Sequence, residues 1–346
     1  MLRRFWVRGT FRAFALFLFL VSPMAARNAR ADATANAPDP AVRTWENYFG
    51  VAILPDGRAV VVGDQGLIMY SDDRGKTWTR QNLSKDQELY DLYSVGFTSD
   101  GSRGWAVGDG GAIYRTDDRG KTWTLQQSKQ KAALLKIAVI DSNKACAVGE
   151  HGTVLCTDDG GETWTASKFE DFVFFDAAFT DPMNGWVVGE FSTILHTIDG
   201  GKTWKVQTGA QRTLNSDPYF TIAFLDANDA VVTGLNGIDA LSTDGGKTWK
   251  AGTIQGDTHS AYVSVHPASA SNLFLGGADG TIAEYQQGRA TAVASDTSNS
   301  ITGMAFSPQY DMAVGMAGTI IVSSDGGQHW TSTNSTPTQT AATDAQ

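Results

Sequence analysis

Thr197-Ile198-Asp199-Gly200-Gly201-Lys202-Thr203-Trp204 is an eight-residue motif that the chain repeats, and the repeat decides the fold. Five further copies are SDDRGKTW at 71–78, TDDRGKTW at 116–123, TDDGGETW at 157–164, STDGGKTW at 242–249 and SSDGGQHW at 323–330. From Trp78 onward the closing tryptophans advance by 45, 41, 40, 45 and 81 residues. A period of about forty residues is typical of repeat proteins, and the last interval fits two repeats. The spacing therefore predicts seven units, one of which lacks the motif.

A second signal is an apolar run ending in glycine, a short distance upstream of each motif. The runs are VVVG at 60–63, WAVG at 105–108, CAVG at 146–149, WVVG at 186–189, VVTG at 231–234 and MAVG at 312–315. The unit without the motif has its own run, LFLG at 273–276, followed by Gly280-Thr281-Ile282. The sixth unit is therefore present but degenerate.

Each unit has the pattern of four short strands. In the second unit these are residues 93–98, 104–107, 112–115 and 122–127, with turn-forming Asp and Gly between them. The second strands are apolar at nearly every position, so both of their faces must be covered. An open solenoid would also cover both faces, but it needs polar capping units, and none is evident. We predict an all-β fold: a seven-bladed β-propeller of four-stranded antiparallel blades over residues 42–332.

The repeated motif lies between the third and fourth strands, where the chain must reverse direction. Its aspartate can accept hydrogen bonds from N–H groups of its own turn, the glycine tolerates positive φ, and the tryptophan buries its ring between blades. The predicted structural residues are Asp73, Trp78, Asp118, Trp123, Asp159, Trp164, Asp199, Trp204, Asp244, Trp249, Asp325 and Trp330.

The two ends of the chain differ in composition from the repeats. Residues 1–31 combine arginines, an apolar run at 13–21 and the small-residue site Ala29-Arg30-Ala31, which is the layout of a secretory signal peptide; an uncleaved anchor is the alternative. Residues 32–41 are predicted to be a flexible linker and 333–346 a disordered tail. Without the signal segment the chain keeps 21 basic and 37 acidic residues, a net charge of about −16. We therefore expect a periplasmic protein, or a thylakoid-lumen protein in a photosynthetic host, that does not bind nucleic acid.

The residues that could bind metals or form redox centres are sparse. Cys146 and Cys156 would face each other across a hairpin if its turn lies near His151, so they are candidates for a disulfide or for two buried thiols. The histidines stand singly and without cysteine partners, and the acidic pairs lack the alternating oxygens of a calcium loop, so we expect no metal and no cofactor. They are His151, His196, His259, His266 and His329. His196 and Arg115 share one repeat position, for which interblade packing is a sufficient explanation.

The eight-residue motif is the Asp-box, or BNR repeat. Together with the G-W-x-V-G and G-x-I elements in Gly104–Ile113 and Gly185–Ile194, it makes the chain resemble the photosystem II stability/assembly factor family over residues 42–332. The resemblance implies an exported, non-catalytic propeller that assists assembly of membrane-protein subunits, with an arginine patch as the partner site in photosynthetic members. The arginines after residue 31 form no run: Arg43, Arg58, Arg74, Arg80, Arg103, Arg115, Arg119, Arg212 and Arg289.

We therefore predict a monomeric binding module rather than an enzyme, with a membrane protein or envelope complex as partner and no small-molecule substrate. Insertions at 84–92, 128–133, 209–217 and 251–260 all precede a first strand and should lie on one rim. The alternative is a sialidase-like glycoside hydrolase, because those enzymes also carry Asp-boxes. Sialidases are six-bladed and carry an Arg-Ile-Pro segment, whereas this chain has seven units and lacks that segment.

Overall fold

The computed structural model describes residues 41–81, 83, 89–207, 217–235, 237–252, 261–269 and 272–333. The predicted signal peptide (1–31), almost all of the predicted linker (32–41) and almost all of the predicted tail (333–346) lie outside these residues. Most residues of the predicted insertions at 84–92, 209–217 and 251–260 also lie outside the described part of the chain. Within the described part of the chain, no helix is both long and apolar enough to cross a membrane.

The described residues form seven antiparallel sheets, each made of four strands that are consecutive in the chain. Blade 1 contains β1 (Tyr48–Ile53), β2 (Ala59–Gly63), β3 (Leu67–Ser71) and β4 (Thr79–Arg80); blade 2 contains β5 (Leu92–Phe97), β6 (Gly104–Gly108), β7 (Ile113–Thr116) and β8 (Thr124–Leu125). Blade 3 contains β9 (Leu134–Val139), β10 (Ala145–Gly149), β11 (Thr153–Thr157) and β12 (Thr165–Lys168); blade 4 contains β13 (Phe174–Phe179), β14 (Gly185–Gly189), β15 (Thr193–Thr197) and β16 (Lys205–Val206). Blade 5 contains β17 (Tyr219–Phe224), β18 (Ala230–Gly234), β19 (Gly237–Ser242) and β20 (Lys250–Ala251); blade 6 contains β21 (Tyr262–Ser269), β22 (Asn272–Gly277), β23 (Ile282–Gln286) and β24 (Arg289–Val293). Blade 7 contains β25 (Ile301–Phe306), β26 (Asp311–Gly315), β27 (Ile320–Ser323) and β28 (Thr331–Ser332). The seven-bladed propeller is confirmed.

The second strand of each blade explains why the blades stack. All five residues of β2, β6, β10, β14, β18 and β26 are buried. Their side chains alternate between the two faces and pack against both neighbouring blades; Val60 and Val62, for example, share a core cluster with Leu92 and Ala106 of the next blade. A single four-stranded sheet could not keep both faces dry, so stacking supplies the burial that each blade lacks.

The ring closes where blade 7 meets blade 1. The Thr302 hydroxyl donates to the Tyr48 carbonyl at 2.5 Å, and the Tyr310 hydroxyl donates to the Gly57 carbonyl at 3.0 Å. Residues 41–47 form no strand, but the Glu46 carbonyl accepts the Gly318 N–H at 2.7 Å. Closure therefore comes from packing and from these bonds between blades, whereas the fourth strand of each blade belongs to the same repeat as the other three.

The sixth unit forms a complete blade without an Asp-box. A two-residue turn joins β23 to β24, with Gln286 paired to Arg289. The two turn residues, Gln287 and Gly288, have φ of 49° and 80°. Two successive positive φ angles fit the type I′ hairpin turn, whose twist matches that of the strands it joins. A tight hairpin thus replaces the longer motif.

Strand direction determines the two rims of the propeller. Because the strands alternate in direction, each Asp-box lies on the same rim as the turn between the first and second strands. The connections from one blade to the next lie on the opposite rim with the turns between the second and third strands. Of the four predicted insertions, 128–133 is fully described, and its Gln130 backbone packs against Gly111 in such a turn.

Candidate functional site

Each Asp-box is a closed network of hydrogen bonds. In blade 2, Asp118 Oδ1 accepts the Thr122 N–H and the Thr116 hydroxyl, both at 2.8 Å, and Oδ2 accepts the Thr122 hydroxyl at 2.6 Å. The Thr116 oxygen in turn accepts the Gly120 N–H at 2.9 Å. The same arrangement recurs in the other boxes, with His329 Nδ1 2.6 Å from Asp325 Oδ2 in place of a hydroxyl. Every oxygen of the aspartate is engaged inside its own turn.

These hydrogen bonds favour the ionised form of the box aspartates. The bonds from the Thr163 hydroxyl and N–H lower the pKa of Asp159 to about 2, and the matching bonds in blades 4 and 5 lower the pKa of Asp199 and Asp244 to about 2. The carboxylates serve the turn as acceptors and remain charged at neutral pH.

The box tryptophans link turns and blades. Four of them donate Nε1–H to a glycine carbonyl of their own box: Trp78, Trp123, Trp204 and Trp330. Trp164 and Trp249 instead donate to the preceding blade, to Gln126 Oε1 at 3.2 Å and to Gln207 Oε1 at 2.9 Å. Trp204, Trp249 and Trp330 are buried, whereas Trp78, Trp123 and Trp164 are half-buried.

Arginines on the Asp-box rim connect blade 1 to blade 2. Arg58 is 7% exposed and binds both carboxylate oxygens of Asp72, while its Nη1 donates to the Arg119 carbonyl at 3.1 Å. The Arg119 side chain pairs with Asp56 in return. Three further arginines of the first repeat lie toward blade 7 instead: Arg43 and Arg80 both pair with Glu46, whose carbonyl accepts the Gly318 N–H, and Arg74 lies 5.9 Å from the Tyr310 ring centre.

Two more arginines connect blade 2 to blade 3. Arg103 binds Asp117 and donates to the Ser142 carbonyl at 2.7 Å. Arg115 also binds Asp117, and its Nη1 donates to the Gly160 carbonyl at 2.9 Å and to Glu162 at 2.7 Å. The structure therefore groups arginines that are scattered in the sequence, but it uses them as interblade clamps. Arg289 starts β24, and Arg212 lies outside the described residues.

The two cysteines lie opposite each other on β10 and β11. Cys146 and Cys156 are paired residues of the ladder, with their Cα atoms 4.1 Å apart, and a disulfide joins them. The bridge packs beneath the Asp-box of blade 4, because a Cβ added to Gly201 would lie 2.7 Å from Cys156 Sγ. The bridge thus stiffens the surface on which the next blade rests.

The histidines do not converge. His151 Nδ1 is 2.8 Å from Asp171, His266 stacks on Phe306, and His329 belongs to an Asp-box. His259 lies outside the described residues. In the part of the chain that the structure describes, no three His, Cys, Asp or Glu side chains are arranged as a set of metal ligands.

A cavity of about 340 Å³ opens beside the Asp-boxes of blades 4 and 5. Its walls combine a ring, apolar side chains and two ammonium groups; the lining residues are His196, Ile198, Thr203, Lys205, Val206, Gln207 and Lys247. The His196 ring stacks on Trp186 with centres 4.5 Å apart, and burial lowers the pKa of His196. Sequence reasoning directed attention to the insertions on the other rim, so it missed this cavity.

The 4/5 interface repeats the frame of the 2/3 interface. Gln207 occupies the place of Gln126, Trp249 that of Trp164, and Trp186 that of Trp105. The charged positions around this frame differ: His196 replaces Arg115, Lys247 replaces Glu162, and Ile198 replaces Asp117. The ion pair that closes the 2/3 interface is therefore absent from the 4/5 interface, and the cavity occupies that position.

The fold and its repeated turn define the class of protein, an Asp-box β-propeller with seven blades. The sequence profile of the family described as photosynthesis system II assembly factor YCF48 matches residues 40–172 and 166–258, and the chain belongs to this family. The prediction of this relationship from the Asp-boxes is confirmed.

Solved structures share the fold. The structure described as YCF48 bound to D1 peptide aligns with a TM-score of 0.64 at 18% identity, covering 81% of this chain and 91% of its own. YCF48 from Cyanidioschyzon merolae aligns with a TM-score of 0.64 at 17% identity, covering 83% and 97%. An ancestral GH74 enzyme aligns with a TM-score of 0.68 at 14% identity over 89% of this chain but 49% of its own, which shows a common fold alone. The comparison with curated proteins found no match.

Proposed function

We propose that this protein is an exported, non-catalytic scaffold that binds a segment of a membrane protein or envelope complex while that partner is being assembled. Membership of the assembly-factor family is the observation that carries the proposal. A solved relative of the same fold holds a peptide of D1, which supports recognition of a protein segment as the mode of action. A rigid ring with stable rims suits this task, because little conformational entropy is lost when it binds.

The arginines support a non-catalytic role over the glycosidase alternative. A sialidase needs arginines that are free to bind the substrate carboxylate. Arg58, Arg103 and Arg115 are instead committed to acidic side chains and to backbone carbonyls of the next blade. Turnover of fluorogenic sialosides by the purified protein would overturn this part of the proposal.

The disulfide supports export, because such bonds persist in oxidising compartments. We propose periplasmic residence after removal of residues 1–31, or residence in the thylakoid lumen if the host is photosynthetic. The mass of the protein isolated from host cells shows directly whether residues 1–31 have been removed. A chain that keeps its first residues and fractionates with the membranes would point to an anchor instead.

Affinity capture from host membranes tests the main proposal. The purified mature protein, immobilised and mildly crosslinked to detergent-solubilised membranes, should enrich one integral membrane protein or its precursor. The matched control is an unrelated seven-bladed propeller on the same matrix. Equal recovery by both propellers, or no membrane protein above background in repeated captures, would contradict the proposal.

A further inference from the structure

The cavity between blades 4 and 5 is the position where the equivalent interface places its own carboxylate. Between blades 2 and 3, Glu162 of the Asp-box binds Arg115 at 2.7 Å, and this pair joins the two blades. At the corresponding positions of blades 4 and 5, the box carries Lys247 and the third strand carries the shorter His196. The charge contributed by the box is therefore reversed, and none of the described residues that line the cavity is acidic.

We propose that this cavity binds a carboxylate side chain from an extended acidic segment of the partner, flanked by an apolar residue. The inference rests on the proposed function and locates it on the molecule. Lys205 and Lys247 line the cavity from adjacent blades and supply the cations that such a group requires. Among the described residues, neither lysine forms a salt bridge, so their charges are available to an incoming anion.

His196 contributes an unpaired polar atom to the wall of the cavity. Its Nε2 is buried and has no hydrogen-bond partner among the described residues, although buried polar atoms are normally paired. The same imidazole is held flat against Trp186, with 14° between the ring planes. The ring is thus positioned by packing and offers a polar atom that the propeller itself does not use.

Two exposed apolar side chains beside the lysines identify the second part of the ligand. Ile198 is 64% exposed and Val206 is 43% exposed, and both line the cavity. Ile198 stands where the boxes of blades 1, 2 and 3 have Asp72, Asp117 and Asp158. The β16 strand is the outermost strand of its sheet, so an extended segment can lie along it. Apolar contact and charge together favour a segment in which acidic and apolar residues adjoin.

The acidic groups closest in sequence do not neutralise the lysines. Asp199 and Asp244 each accept the N–H and hydroxyl of the threonine within their own box, Thr203 and Thr248. Their carboxylates are thereby held inside the turns. A partner carboxylate would supply at this interface the negative charge that Glu162 supplies between blades 2 and 3.

Selection from a library of short random peptides tests the site with purified mature protein. The wild type should enrich peptides in which Asp or Glu adjoins an apolar residue. The double substitution Lys205→Glu and Lys247→Glu should weaken binding of a selected peptide about tenfold or more, because it places two carboxylates beside the carboxylate of the peptide. Lys76→Glu with Lys121→Glu is the matched control. These two lysines occupy in blades 1 and 2 the box position that Lys247 occupies in blade 5, and the two double substitutions change the net charge equally.

The apolar contact has its own pair of variants. Ile198→Asp should reduce affinity for the same peptide, and it should fold because Asp is the natural residue at this position in three other boxes. Ser324→Asp, at the same position in blade 7, should leave affinity unchanged. Failure to enrich acidic peptides, or equal binding by the Lys205→Glu/Lys247→Glu protein, would overturn the site. Capture of a membrane protein that is unaffected by this variant would leave the scaffold function standing and refute only its location here.

Discussion

At the scale of single residues, the Asp-box aspartate organises its turn, and no part of it is left for chemistry. Asp118 accepts two bonds from Thr122 and one from Thr116, and these bonds fix the chain between the third and fourth strands. The sequence was sufficient to assign this role, because the acceptor, the glycine and the threonine all lie within eight residues. Local interactions of this kind are the most predictable part of the structure.

Replacement of Asp118 by alanine should destabilise the propeller by about 1–3 kcal/mol, because the Thr122 N–H and the Thr116 hydroxyl lose their acceptor. Urea unfolding followed by tryptophan fluorescence measures the change. Asp158→Ala is the matched control: this exposed residue precedes the box aspartate of blade 3, and its loss should cost less than about 0.5 kcal/mol. Equal effects of the two substitutions would refute the role assigned to the box carboxylate.

At the scale of the strands and blades, what could be predicted depends on the sequence distance between partners. The sixth blade was recognised because LFLG at 273–276 lies within its own repeat. Arg115 and His196 could be placed at one repeat position, but the side chains that face them, Glu162 and Lys247, belong to the next blade. Only the angle between blades decides which residues meet. The arginine clamps and the cavity therefore required the structure.

The disulfide between β10 and β11 should stabilise blade 3 and the blade that rests on it. For a bridge that spans 10 residues, the loss of freedom in the unfolded chain predicts about 2–3 kcal/mol. Reduction should lower the free energy of unfolding by that amount. The double variant Cys146→Ser and Cys156→Ser should show the lower stability from the start and no response to reductant. A wild-type protein whose stability is unchanged by complete reduction would contradict this prediction.

At the scale of the whole molecule, groups with opposite pKa shifts set the dependence of stability on pH. Burial raises the pKa of Asp64 and of Asp311 from 3.8 to about 6, so ionising them at neutral pH opposes folding. Burial lowers the pKa of His266 from 6.5 to about 4, so stability is lost as the pH falls between those values. The box aspartates Asp159 and Asp199, with pKa lowered to about 2, lose their contribution as the pH falls below 3.8.

Stability should consequently rise modestly between pH 7 and pH 4, because the two buried acids gain more stability on protonation than the one histidine loses, and should fall steeply below pH 4. Unfolding by urea at a series of pH values gives the profile. Asp64→Asn isolates the contribution of Asp64 ionisation. Without the buried charge this variant should exceed the wild type in stability at pH 7, and the difference should disappear near pH 4, where Asp64 of the native protein is protonated. An advantage that stays constant across this range would mean that packing around residue 64, rather than ionisation, is responsible. The steep fall below pH 4 should persist in the variant, because it comes from turns repeated around the ring.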